Sequence, residues 1–208
     1  MQFLPEAVIF DVTRGTVPVV PNENVTRGDS PGGDNGGKKM DEYVKLAKQT
    51  IETYIKEHRK IDLPENLSDE MLSRRAGAFV SIHKGGSLRG CIGTILATTD
   101  CVGEEIIQNA ISASTRDPRF PAISEDELSQ LEISVDVLGE PEDISSPEEL
   151  DVKRYGVIVT KGFRRGLLLP DLEGVDTVED QISISKYKAG IGQDEEVKLQ
   201  RFEVIRHH

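Results

Sequence analysis

One cysteine lies between two glycines in a β-rich segment, at residues 88–93, which read LRGCIG. The guanidinium of Arg89 is close enough in sequence to lower the pKa of the Cys91 thiol, and a thiolate is a nucleophile or a carrier of transferred groups. A cysteine also packs as a small hydrophobic residue. Gly90 and Gly93 fit both interpretations, because each lets a ligand or a neighbouring chain approach the backbone. The segment therefore indicates either a reactive thiol or a cysteine that shapes a site.

The register of the hairpin around this segment decides which side chains accompany the thiol. Gly85-Gly86 separates two β-rich runs and predicts a two-residue turn. That turn places Cys91 opposite Val80 and on the same face as Arg89, whereas His83 points to the other face. A Cys91–His83 catalytic pair is therefore not expected, and a β-bulge would reverse this conclusion.

Residues 116–121, RDPRFP, combine charges with two stiffening prolines. One interpretation is a rigid loop that holds Arg116, Asp117 or Arg119 over a cleft. The other is the end of a helix with an internal Asp–Arg ion pair.

Two further polar clusters have both a functional and a structural interpretation. Glu132, Ser134 and Asp136 alternate along one strand and could bind a cation, although a solvated sheet face is more typical. The second cluster is basic and either docks a phosphate or an acidic partner or forms a solvated hairpin tip; it contains Lys153, Arg154, Lys161, Arg164 and Arg165. No metal-ligand spacing, phosphate loop or dinucleotide fingerprint is found in the sequence.

The elements that must position these residues follow from hydrophobic periodicity. Apolar residues at helical spacing predict an amphipathic helix from Met40 to about His58, and alternation predicts a half-buried strand over residues 131–138. Further predicted elements are a hairpin over 77–96, helices over 100–116 and 177–190, a second hairpin over 155–170 and a final strand over 197–205. Short helices are also predicted over 68–74 and after the caps at Ser124 and Ser146. Because hairpins dominate, the order predicts an α+β domain with antiparallel sheets.

Residues 1–39 differ in composition from the rest and are predicted to be an N-terminal extension, partly a flexible linker, outside a domain that spans residues 40–208. The two final histidines, His207 and His208, are assigned no role.

The totals restrict the class of protein. The chain has 208 residues, a formal net charge of −12 and two cysteines, Cys91 and Cys101. Direct nucleic-acid binding is disfavoured, because phosphate contacts require cations, and only a local basic patch could supply them. No apolar run approaches the ~20 residues of a membrane span. The low cysteine count fits a reducing compartment, so a cytoplasmic location is expected.

Five ordered blocks together resemble the AMMECR domain family, whose microbial members are called AmmeMemoRadiSam system protein A. The resemblance covers roughly residues 40–206. The blocks are LRGCIG at 88–93, NAISASTRDPRFPAIS at 109–124, EISVDVL at 132–138, KGFRRGLLLPDLEGVDTVEDQ at 161–181 and KAGI at 188–191.

The resemblance implies two α+β subdomains with antiparallel sheets flanked by helices and a cleft between them, with the LRGCIG strand facing the cleft. It also implies a Memo-like protein and a radical SAM protein as partners, whereas it names no cofactor. The leading hypothesis is a cleft-forming component of a modification system. In that hypothesis the substrate-contacting set is Leu88, Arg89, Gly90, Ile92, Gly93, Arg116, Asp117 and Arg119. An alternative is an enzyme with Cys91 as its catalytic nucleophile, and a weaker alternative is an RNA-binding accessory protein.

Overall fold

The structure is a computed structural model that describes residues 8–9, 40–172 and 174–208. The prediction of an N-terminal extension falls almost entirely on residues outside this description. Among the described residues, no helix has both the length and the apolar character that a membrane crossing requires.

The described strands form two antiparallel sheets, with helices packed against them, and this confirms the predicted α+β class. The first sheet has the order β1-β3-β2-β4-β9, and its strands are Val8–Ile9 (β1), Ala78–Lys84 (β2), Ser87–Gly93 (β3), Leu131–Leu138 (β4) and Val204–His207 (β9). The second has the order β5-β8-β6-β7, and its strands are Glu142–Ile144 (β5), Gly156–Lys161 (β6), Arg164–Leu168 (β7) and Lys198–Phe202 (β8). The α-helices are Glu42–Glu57 (α1), Asp69–Ser73 (α2), Val102–Thr115 (α3) and Val178–Lys188 (α4).

The second sheet is an insertion into the first. Its strands all lie between β4 and β9 in sequence. The sequence predicted one final strand over residues 197–205, whereas the chain passes from β8 in the second sheet to β9 in the first at Glu203. Continuous β-rich sequence does not reveal that a strand changes sheet.

Helices α1 and α3 cover one face of the first sheet. Helix α1 begins where the side chain of Asp41 accepts the backbone N–H of Tyr43 at 2.9 Å, and it ends at His58, whose φ of 51° is left-handed. The buried apolar stripes of both helices meet the inward side chains of β2, β3 and β4 in one core. Its strand members include Ala78, Val80, Ile82, Ile92, Val135 and Val137.

A second core lies between the two sheets. It joins Phe79 and Cys91 of the first sheet to apolar residues of the second, such as Val157, Ile158 and Leu167. The strand that carries LRGCIG therefore presents alternate side chains to a helical core and to the second sheet.

The hairpin register differs from the prediction beyond the turn. His83 lies opposite Leu88 as expected, but the register then shifts, and Cys91 lies opposite Ser81 rather than Val80. Arg89 is the extra residue of a β-bulge. Without the bulge, Arg89 would share a face with Val80 and be driven under the helices, and burying an unpaired guanidinium there would cost much free energy. The prediction that His83 points away from the thiol is therefore wrong, because both line one face of the sheet.

A buried carboxylate fixes the connection between β3 and α3. The side chain of Glu105, which is fully buried on α3, accepts the backbone N–H groups of Thr98 and Thr99 at 2.8 and 3.0 Å and the hydroxyl groups of both. These hydrogen bonds order the loop that follows LRGCIG.

The last strand is tied to the first helix. His207 of β9 pairs with Val135 of β4. Its Nδ1 lies 3.0 Å from a carboxylate oxygen of Asp41, and its ring stacks on the ring of Tyr43 with the centroids 3.8 Å apart. The assignment of no role to His207 is therefore wrong, because this residue connects two parts of the chain that are distant in sequence.

Candidate functional site

A cavity of about 400 Å³ lies against the face of the first sheet that carries Cys91. Its volume is within the range of small-molecule sites. The wall from the first sheet is mostly polar, and Leu169 and Leu172, which follow β7, supply apolar surface from the inserted segment. The lining residues are Ser81, His83, Gly86, Leu88, Cys91, Ser134, Asp136, Leu169, Leu172, Arg206 and His208.

Cys91 lines this cavity and is 5% exposed as a residue. Burial raises the pKa of this thiol to about 11, and the Ser81 hydroxyl, whose Oγ lies 3.2 Å from the sulfur, lowers it only in part. The thiol is therefore protonated at neutral pH. His83 lines the same cavity, but the described hydrogen bonds of the sulfur do not include one to its imidazole. The arrangement favours a neutral thiol over a nucleophile.

The guanidinium of Arg89 is engaged in an ion pair away from the thiol. Its Nε and Nη2 donate to the two carboxylate oxygens of Glu127 at 3.0 and 2.9 Å, and its Nη1 donates to the carbonyl of Pro121 at 2.8 Å. Lys84 reaches the same carboxylate at 3.0 Å. Bidentate pairing of this kind is strong and directional, so Arg89 connects the hairpin to the loop after α3. Its role in substrate contact remains a prediction.

We expect Glu127→Gln to lower the free energy of unfolding at pH 7 by about 2 kcal/mol, because hydrogen bonds between charged groups are worth roughly 1.5–3 kcal/mol. The hydrogen bonds from Arg89, followed by those from the Ser124 backbone and from Lys84, hold the pKa of the Glu127 carboxyl well below its usual range. A lowered pKa stabilises the folded state above the unfolded value of about 4.3, and this contribution is lost as the pH falls.

Urea unfolding of Glu127→Gln and wild type between pH 7 and pH 3 checks this prediction, with the exposed Glu125→Gln as control. The difference between Glu127→Gln and wild type should shrink as the pH falls below about 4. A difference that is constant over this range would contradict the assignment.

Asp117 and Arg119 hold the backbone of Cys91 from the edge of β3. The Cys91 N–H donates to the Asp117 carboxylate at 2.9 Å, and Arg119 donates to the Cys91 carbonyl at 3.2 Å. The two side chains also form an ion pair at 2.7 Å, in which Asp117 is 4% exposed as a residue. Burial raises the pKa of the Asp117 carboxyl, but the hydrogen bonds from Arg119 and from the Cys91 backbone outweigh it and lower that pKa overall.

This clamp takes the place of a neighbouring strand at Cys91, and unpaired strand edges need such cover. The internal ion pair that the sequence suggested as the alternative for RDPRFP is present. Arg116, at the end of α3, is exposed. Substrate contacts by Arg116, Asp117 and Arg119 remain predictions.

The other members of the predicted set lie on both faces of β3. Leu88 lines the cavity, whereas Ile92 packs into the helical core. Gly90 faces α3, and Gly93 lies against the ring of Phe79. The structure therefore brings Leu88 and Cys91 together at the cavity, whereas Gly90 and Ile92 lie on the opposite face of the sheet, against the helices.

A buried ion pair at the cavity was not found from the sequence. Asp136 lies opposite Arg206 across β4 and β9, their Oδ1 and Nε atoms are 2.7 Å apart, and Asp136 is 4% exposed. The prediction of a solvated face is wrong at Asp136, because the inserted subdomain covers it. Burial lowers the pKa of Arg206, but the hydrogen bond to Asp136 and its charge raise that pKa overall. The alternating polar residues of β4 were the available signal, but nothing local in the sequence pairs strands so far apart.

The basic cluster is largely neutralised by carboxylates. The ion pairs are Lys153–Asp171, Arg154–Glu203, Lys161–Glu195 and Arg164–Glu195. Within the residues that the structure describes, no group of three or more histidine, cysteine or carboxylate side chains is arranged to hold a metal ion.

A family model described as AMMECR1 matches residues 44–207. The chain belongs to the AMMECR1 family. A Thermotoga maritima member is 54% identical over 79% of this chain and 96% of its own length. A Clostridium acetobutylicum member is 49% identical over 82% of this chain, but the match spans 36% of that longer protein. The crystal structure of an uncharacterized protein from Pyrococcus horikoshii has the same fold, with a TM-score of 0.74 and 32% identity over 79% of this chain and 88% of that one.

Proposed function

We propose that this AMMECR1-family chain is the cleft-forming binding component of a modification system and acts with a Memo-like protein and a radical SAM protein. The observation that carries the binding role is the cavity on the LRGCIG face, where a neutral thiol, hydroxyl groups and an ion pair meet apolar surface. Such a mixture of polar and apolar walls is typical of sites that bind small molecules.

Two further observations support a role among protein partners. The resemblance to AmmeMemoRadiSam system protein A implies a Memo-like and a radical SAM partner. In the Clostridium acetobutylicum relative, the matched region is joined to a longer chain, as expected of a module that works beside other domains.

Both cysteines of the chain are free and buried, which fits the reducing cytoplasm where we place the protein.

In this proposal Cys91 shapes the cavity wall and Leu88 contacts the bound group. The interpretation of Cys91 as a nucleophile is the second candidate, and the presence of His83 in the same cavity is the observation that favours it. The RNA-binding alternative receives less support, because the cations that it needs are paired with carboxylates.

We expect Cys91→Ser to fold, to bind the partner proteins and to retain system activity within about twofold, because a protonated thiol contributes shape and no nucleophile. Size-exclusion chromatography with the purified partners and the reconstituted turnover of the system are the measurements. Near-complete loss of activity in a folded Cys91→Ser protein would contradict the proposal and support the nucleophile.

The pH dependence of alkylation separates the two candidates directly. In a Cys101→Ser background, the rate of iodoacetamide labelling at Cys91 should rise toward a midpoint near 11, as the raised pKa requires. A midpoint below the unperturbed value of about 8.5 would support a reactive thiolate. Mass spectrometry measures the labelling rate of Cys91 in the native protein and, for reference, in the urea-unfolded protein.

A further inference from the structure

The side chain of Phe163 is 96% exposed at the tip of the β6–β7 hairpin. Lys161 pairs with Arg164, so Gly162 and Phe163 form a two-residue turn. Gly162 has a φ of 61°, and a glycine with positive φ at the first turn position is the signature of a type II′ turn. The turn therefore directs a large apolar ring into solvent from a defined backbone.

The tip is braced against the loop that follows α4. Lys161 and Arg164 both contact the Glu195 carboxylate, at 2.9 and 3.0 Å, and Arg164 also donates to the carbonyl of Gly190 at 2.7 Å. The hydrogen bond from Arg164 is the largest of the effects that lower the pKa of Glu195 to about 2, so the carboxylate is ionised at neutral pH. A braced tip loses little conformational entropy when a partner covers it, and preorganisation of this kind favours binding.

Cations outnumber carboxylates at the hairpin tip and its brace, in a chain whose net charge is −12. Glu195 offsets part of the charge of Lys161 and Arg164, whereas the described hydrogen bonds of Arg165 go to the uncharged side chains of Thr160 and Gln200. A surface that complements this tip has carboxylates around an apolar pocket.

We infer that Phe163 is the anchor with which this chain docks on a protein partner, and that the partner offers an apolar pocket rimmed by carboxylates. The inference rests on the proposed function, which requires protein partners, and it adds the surface that meets them. A protein is favoured over RNA, because a phosphate backbone needs several uncompensated cations and most of those near the tip are paired. Truncating a central aromatic anchor of an interface commonly costs more than other contacts do.

The experiment measures binding of the full chain to the purified Memo-like and radical SAM proteins of the same organism by biolayer interferometry. We expect Phe163→Ala to weaken binding to one of them at least about 30-fold, as for a strong anchor residue. Arg165→Glu should weaken it several-fold, and this loss should diminish at high salt. Leu96→Ala is the matched control, since Leu96 is also an exposed apolar residue, at 53%, but lies outside the hairpin; its affinity should stay within about twofold.

The possible failures can be distinguished. Wild-type binding that Phe163→Ala leaves unchanged would overturn this inference and leave the proposed function standing, whereas no wild-type binding to either protein would overturn both. Phe163→Ala could instead abolish binding to anionic vesicles, binding to an RNA oligonucleotide, or a dimer seen by light scattering. Any of these results, with binding to the protein partners unchanged, would also overturn the inference. Because Phe163 lies outside both cores, its variant should melt at the wild-type temperature.

Discussion

Replacing Gly90 with alanine should lower the free energy of unfolding by about 4 kcal/mol, which is at the upper end of single substitutions. A Cβ atom at this position would lie 2.2 Å from the carbonyl oxygen of Ala113, well inside contact distance. The obstacle is the backbone of α3, which cannot rotate away as a side chain can. Strand β3 and helix α3 would therefore have to separate, and the tightly packed core between them would lose contacts.

Gly192→Ala is the matched control. Its Cβ atom would first meet a side chain rather than backbone, that of Glu195 at 3.3 Å, so we expect a change of less than about 1 kcal/mol. Urea unfolding followed by circular dichroism measures both variants. A Gly90→Ala protein as stable as Gly192→Ala would show that β3 and α3 are not as close as described.

The second large effect is expected for Asp117→Asn, which should lower the free energy of unfolding at pH 7 by about 3 kcal/mol. Removing one partner of a buried ion pair typically costs 3–5 kcal/mol, because the other charge stays buried and uncompensated. Here that charge belongs to Arg119, whose side chain is 13% exposed. The backbone N–H of Cys91 would also keep only a weaker, uncharged acceptor.

The pH dependence of this effect has a definite sign. The folded state lowers the pKa of the Asp117 carboxyl, so its contribution is present above the unfolded value of about 3.9 and is lost as the pH falls. Wild type and Asp117→Asn should therefore differ most at neutral pH and converge in acid. Asp126→Asn, at an exposed position, serves as control and should change stability by less than about 0.5 kcal/mol. Equal effects of the two substitutions at pH 7 would contradict the clamp on Cys91.

The local part of the fold was predictable from sequence, because its causes are local. The alternation over residues 131–138 predicted β4 with its bounds, and Gly85-Gly86 predicted the turn between β2 and β3. The bulge at Arg89 was not predictable in this way, because it results from the helices that cover one face of the sheet. One extra residue then reversed the relation of His83 to Cys91.

The candidate site was predictable in its residue types more than in its contacts. An arginine pairs with a substrate carboxylate in the same bidentate geometry as with a carboxylate of its own chain. The sequence around a cysteine therefore does not show which of the two a neighbouring arginine binds. In the structure both carboxylates belong to the chain itself, because Arg89 pairs with Glu127 and Arg119 pairs with Asp117. The pair that lines the cavity, Asp136 and Arg206, joins strands on either side of the insertion.

Because the second sheet is inserted before β9, a ribosome must synthesise the whole inserted segment before the first sheet can be completed. Until Arg206 emerges, the nascent protein holds Asp136 without its cation, and an unpaired carboxylate opposes burial of that surface. Long-range closure of this kind slows folding and leaves an open strand edge exposed to other chains in the meantime. A chain that stops before β9 would therefore have the second sheet but no completed binding cavity, because Arg206 and His208 line that cavity.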